Sequence, residues 1–120
     1  MKILLDENLP KQLKTDFGPD YDVKTVRDMG WWGTKNGELL GLIVFNGFDF
    51  FVTIDKNLRY QQNLERIQLK IFLLLAVNNR RETLKVLIEK LKEKIKDGNL
   101  QKINEVSYLN SETKQVLNKL

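Results

Sequence analysis

The sequence predicts one α/β domain, a three-layer α/β/α sandwich around a mostly parallel sheet. Three observations carry that prediction. Short, almost wholly apolar runs at Phe50 to Ile54 and Lys70 to Val77 have the length of strands buried on both faces. The segments between such runs carry helical spacing and helix-ending glycines. Strands and helices alternate from beginning to end, which is the order that parallel sheets require. At 120 residues the chain has the size of a single domain with one enclosed core, expected over residues 1–110 with a polar tail at 111–120.

The elements follow in order. Lys2 to Leu5 reads as a first strand that stops at Asp6-Glu7-Asn8. Pro10 suits the first turn of a helix running to about Asp16, which Gly18-Pro19-Asp20 ends. Tyr21 to Val26 alternates as a second strand, with Val23 and Thr25 on one face. A glycine-rich loop over Arg27 to Lys35 carries Trp31 and Trp32. Asn36 or Thr34 is placed to cap a helix from Gly37 to Asn46, with Leu39, Leu40 and Ile43 inward and Gly47 closing it. Phe50 to Ile54 is the third strand and ends at Asp55. A polar turn and helix pass through Arg59 and Leu64 to the fourth strand, Lys70 to Val77. Asn79 and Glu82 have capping-box spacing before a helix whose stripe is Leu84, Leu87, Ile88, Leu91 and Ile95, ended by Gly98. Val106 to Leu109 is read as a last strand.

Composition narrows the chemistry. The chain has no cysteine and no histidine, which excludes disulfides, thiol nucleophiles, imidazole bases and His- or Cys-ligated zinc. Any catalysis must use carboxylates, Lys, Arg, Tyr, hydroxyls or a metal held by hard oxygen ligands. With 20 Lys and Arg against 16 Asp and Glu the net charge is +4, a mild preference for an anionic partner. No apolar run reaches the length of a membrane span, and the opening MKILLDENLP does not have the apolar stretch of a signal peptide. These features predict a cytoplasmic protein without a membrane partner.

Ligands of an open parallel sheet bind beyond the carboxyl ends of its strands. Asp6 and Asp55 each follow an apolar strand at that edge, and Glu38 falls in the first turn of the helix opening there. Carboxylates brought together repel unless a cation neutralises them, so magnesium or manganese is the expected occupant. Such an ion activates water and stabilises charge on a phosphodiester. Each acid also has a purely structural explanation: Asp6 as a cap, Asp55 in an Asx turn, Glu38 against the helix dipole.

Three segments, MKILLDENLP, YDVKTVRDMGWWG followed by NGELL, and FFVTIDKNLRYQQN, resemble a small PIN-like family related to the VapC toxins, over roughly residues 1 to 77. The resemblance implies a metal-dependent ribonuclease whose partners are RNA and a cognate antitoxin protein, with a homodimer as a further expectation. Asp6, Glu38 and Asp55 match the family's catalytic, metal-binding acids. Where many PIN nucleases supply a fourth acid this chain has the neutral Asn57, expected to aid the metal from the periphery, and Glu7 is an extra candidate ligand. Asn8, Arg27, Lys56, Arg59 and Gln62, with Arg80 and Arg81, are the candidates to hold the strand.

Trp31 and Trp32 are placed either to stack on unpaired bases or to fill a core or dimer contact. Two other readings compete. The same fold without catalysis would serve as a protein-binding module. A receiver-like phosphoacceptor domain shares the acids after the first and third strands. It also requires a hydroxyl residue after the fourth strand, where Leu73-Leu74-Leu75-Ala76-Val77 stands, and a lysine after a fifth.

Overall fold

The structure, a computed structural model, describes residues 1–61 and 64–108. Its elements are β1 (Lys2–Leu5), α1 (Leu13–Phe17), β2 (Asp22–Thr25), α2 (Asn36–Phe45), β3 (Phe50–Thr53), β4 (Lys70–Leu74), α3 (Arg81–Asp97) and β5 (Ile103–Val106). Two 3-10 turns, Lys56–Tyr60 and Leu64–Arg66, join β3 to β4. The expected tail at 111–120 lies outside the described residues, as do Gln62 and the end of the predicted last strand at Leu109.

The five strands form one all-parallel sheet in the order β2-β1-β3-β4-β5, the order of flavodoxin-like doubly wound sheets. The α/β prediction therefore holds. Because the strands are parallel, all their carboxyl ends share one edge. The chain turns from β1 to β2 on one side and returns to β3 on the other, which makes that edge between β1 and β3 the switch point at which such sheets bind ligands.

Alternating side chains send β1, β3 and β4 into two hydrophobic clusters. Ile3, Leu5, Phe50, Val52, Phe72 and Leu74 join α1 and α3 in the first. Leu4, Phe51 and Ile71 join Leu39, Leu40 and Ile43 of α2 in the second. A strand buried at every position, such as Phe50–Thr53, is explained by that double coverage.

Local details depart from the sequence reading in four places. Pro10 starts a winding of i to i+3 bonds, Leu13 N to Pro10 O and Lys14 N to Lys11 O at 3.1 Å each, so α1 itself begins only at Leu13. Lys35, not Asn36 or Thr34, is the N-cap of α2, and it makes no side-chain cap. No capping box precedes α3. Its N-cap is Arg80, while the Asn79 amide reaches across to the carbonyl of Asn8 at 3.2 Å. Finally, β5 starts at Ile103 rather than Val106. Its apolar residues Ile103 and Val106 stand three apart, which breaks the two-residue alternation that marks a strand, and pairing with β4 rather than pattern defines it. Gly98, left-handed at φ 80°, ends α3 as expected. Among the described residues no helix is long and apolar enough to cross a membrane.

Candidate active site

Among the described residues, the buried polar or charged ones are Asp6, Thr25 and Thr53. Each lies at the carboxyl end of a strand: Asp6 just past β1, Thr25 closing β2, Thr53 closing β3. The register explains their meeting. Leu5 pairs with Val52, and the Asp6 amide continues the ladder to the Val52 carbonyl at 3.0 Å, which brings Asp6 level with Thr53.

Thr53 then links two acids. Its hydroxyl donates to Asp6 Oδ2 at 2.6 Å and accepts the backbone N–H of Asp55 at 3.0 Å. Asp6 Oδ1 accepts the N–H of Glu7 at 2.8 Å. Desolvation by burial pushes the Asp6 carboxyl above the usual carboxylate range, aided by the charges of Glu7 and Asp55. The hydrogen bonds from Thr53 and Glu7 pull the other way without cancelling it.

Asp55 is held by groups from two further elements. Its Oδ1 accepts the Asn57 N–H at 2.9 Å, the Asx cap of the following 3-10 turn. Its Oδ2 accepts Nδ2 of Asn36, the first residue of α2, at 3.2 Å. The amide expected to cap α2 is thus turned to the acid of β3.

The site candidates divide accordingly. Asp6 and Asp55 both meet the Thr53 hydroxyl, the first through its carboxylate and the second through its backbone N–H. Asn57 contributes its backbone N–H and is itself exposed. Glu38 is exposed and, among the described residues, has no side-chain hydrogen bond or ion pair. Residues two apart on a helix do not share a face, so with Asn36 turned to Asp55 the side chain of Glu38 leaves α2 on another side. Among the described residues no three Asp or Glu group so as to hold an ion unaided. Asn8 is exposed and engaged through its carbonyl. Lys56 is exposed beside Asp55, whereas Arg59 pairs with Glu105 at 3.0 Å and Arg81 with Asp16 at 3.0 Å.

Arg27 lines a cavity of about 360 Å³ that Asp6, Lys11, Lys14 and Thr25 also border. There Lys14 pairs with Asp28 at 2.8 Å, and that hydrogen bond holds the Asp28 carboxyl below its usual range. Asp28 in turn accepts the Thr25 N–H at 2.9 Å and donates its own to the Thr25 hydroxyl at 2.9 Å.

Sequence reasoning missed Thr53 and Asn36 as members of the site. A threonine closing an otherwise apolar Phe-Phe-Val-Thr run was the available signal for the first. The second depends on the first turn of α2 lying beside Asp55, a contact across 19 residues that no local pattern shows.

No family model, curated protein or solved structure matches the chain. Arguments about its function therefore rest on the site's own chemistry. The receiver arrangement remains incomplete in that chemistry. Leu74 and Leu75 stand at the end of β4, and Ser107 and Tyr108 follow β5 where a lysine is needed.

Proposed function

We propose that the chain is a magnesium- or manganese-dependent endoribonuclease of PIN-like type, a three-layer α/β/α domain acting in the cytoplasm, with Asp6 and Asp55 as its central acids. The observation that carries this reading is the Asp6–Thr53–Asp55 linkage at the β1/β3 switch point. The donor set fits a hard divalent cation, since it consists of the carboxylate oxygens of Asp6 and Asp55. Two protein carboxylates suit magnesium, which keeps several waters and takes further ligands from substrate phosphate. Asp6 and Asp55 would hold it, with Glu38 and Asn57 as outer candidates. When bound, such an ion lowers the pKa of water and stabilises charge on the phosphodiester.

The protein's own groups do the positioning. Thr53 orients one oxygen of Asp6, and Asn36 with the Asn57 N–H orients Asp55, so neither carboxylate has to reorganise when substrate arrives. Without a cation the paired acids repel a phosphodiester, which makes activity metal-dependent. Lys56, Arg27 and Lys11 supply cations around this edge for strand phosphates. The test is cleavage of a mixed RNA pool with manganese, with chelator, and by Asp6→Asn/Asp55→Asn. Metal-dependent cutting that the double variant loses supports the reading; cutting that survives both treatments contradicts it.

A second reading has one observation in its favour: α2 turns a neutral amide, not an acid, to Asp55. On that reading the domain keeps the fold and binds a protein, such as the partner of a toxin–antitoxin pair or a second copy. A folded wild type that neither cuts RNA nor responds to manganese would favour it.

A further inference from the structure

We propose that the cavity between α1 and the carboxyl end of β2 is a nucleotide subsite, taking one phosphate of a single-stranded nucleic acid while the adjoining base stacks on Trp32. It deepens the nuclease reading, because the cavity reaches Asp6, but binding there does not require cleavage.

The first observation concerns the charges of the cavity, where Lys11, Lys14 and Arg27 stand against Asp6, Glu7 and Asp28. Lys14 is committed to Asp28. Lys11 and Arg27 also line it, and neither has an ion-pair partner among the described residues. A cavity of about 360 Å³ lies at the lower end of the range for small-ligand pockets, which suits a nucleotide-sized group. The Thr25 hydroxyl at its border is already engaged with Asp28, so Lys11 and Arg27 are the groups free to meet a phosphate.

The second observation is independent and concerns the two tryptophans. Trp31 packs inward, its ring 6.1 Å from that of Phe48. Trp32 is 64% exposed, and the Arg27 guanidinium lies 5.5 Å from its ring centroid. The loop that carries it is fixed rather than loose. Gly30 and Gly33 bracket the pair at φ 75° and 83°, conformations that glycine adopts without strain. Backbone bonds from Trp31 N to Val26 O and from Thr34 N to Trp31 O, each 3.0 Å, tie it down. An exposed indole on a tied loop, with a guanidinium against it, is a stacking platform whose ordering cost is met before a base arrives. Arg27 joins the two halves, since it borders the cavity and touches the platform. Base stacking of this kind needs an unpaired base, which selects a single strand over a duplex.

The test uses the full chain in chelator, so that nothing is cut, and follows binding by calorimetry during titration. The ligands are a short single-stranded oligoribonucleotide, its duplex, and a nucleoside monophosphate. The single strand is expected to bind more tightly than the duplex. Trp32→Ala should weaken it by about tenfold or more, and Arg27→Ala should weaken it and reduce the salt dependence by roughly one phosphate contact. Arg81→Ala, whose side chain pairs with Asp16, serves as the control. Saturable binding of the monophosphate that Trp32→Ala and Arg27→Ala both weaken would support the subsite and make a free nucleotide its occupant. Equal single-strand affinity in wild type, Trp32→Ala and Arg27→Ala would overturn it, as would a preference for the duplex. Single-strand binding that depends on Trp32, in a protein that never cuts RNA, leaves the subsite standing and removes the nuclease reading. Metal-dependent cutting with binding indifferent to Trp32 and Arg27 does the reverse.

Discussion

Within one parallel sheet, two groups of strands end in opposite ways. The last residues of β4 and β5 are Leu74 and Val106, both about 1% exposed and both in the hydrophobic cluster with α3. At the same edge β2 and β3 end in Thr25 and Thr53, and Asp6 stands just past the end of β1, all three buried and all polar. A buried polar group costs about 1–3 kcal/mol when it has no partner. Here every one is partnered: Thr53 donates to Asp6, and Thr25 exchanges bonds with Asp28. Among the described residues no buried side-chain nitrogen or oxygen is left without a partner. The β4 and β5 ends show that this edge closes well with aliphatic residues. The proposed site stands at the polar ends, where burial and paired polar groups coincide.

The contrast can be broken from either side. Leu74→Ala should show the largest effect on stability, a loss of about 2–5 kcal/mol as for other buried leucines. Denaturant unfolding should report it, while manganese affinity of the folded variant stays at the wild-type value. A change in that affinity would mean that the two strand groups are not separate.

Thr53→Val keeps the shape of the β3 end but removes the link between the acids. It should cost about 1–3 kcal/mol at neutral pH, because Asp6 Oδ2 loses its donor and the Asp55 N–H its acceptor. The loss should shrink as pH falls and Asp6 takes up a proton. A loss that stays constant with pH would show that Thr53 acts by packing alone.

Asp6→Asn should move stability the other way. Burial raises the folded-state pKa of Asp6, so the native protein holds this proton more tightly than the unfolded chain. The resulting stability is fully present below the ordinary carboxylate value and is lost as pH rises through the raised one. At neutral pH the wild type therefore carries a buried charge that the variant does not. In chelator, Asp6→Asn should melt a few degrees higher at pH 7, and the gap should close towards acid pH. A lower Tm for the variant at neutral pH would contradict the burial account.

The smallest effect is expected for Glu38→Gln, at an exposed position without side-chain partners among the described residues. Its stability should stay within about 0.5 kcal/mol of wild type, and manganese affinity should fall less than in Asp6→Asn or Asp55→Asn. A larger fall than theirs would restore Glu38 to the centre of the site.

What could be read from the sequence, and what could not, follows the same division. The apolar runs of β1, β3 and β4 announce themselves because helices cover both their faces, and the acids that end β1 and β3 stand out against them. Strand order is set by long-range pairing, so the β1/β3 switch point was reachable only as a general rule about sheet edges. The role of Thr53 needed the Leu5–Val52 register, and that of Asn36 needed the placement of α2's first turn beside Asp55. Lys11 and Lys14 gave no signal at all, because nothing local shows that α1 meets the end of β2 across a cavity.

The most direct test of the account is manganese calorimetry on the wild type and on Asp6→Asn/Asp55→Asn, each shown to be folded. The account predicts one saturable site in the wild type and none in the double variant. A folded wild type that takes up no manganese at millimolar concentration, or a double variant that binds it equally well, would contradict the claim that these two strand ends build a metal site.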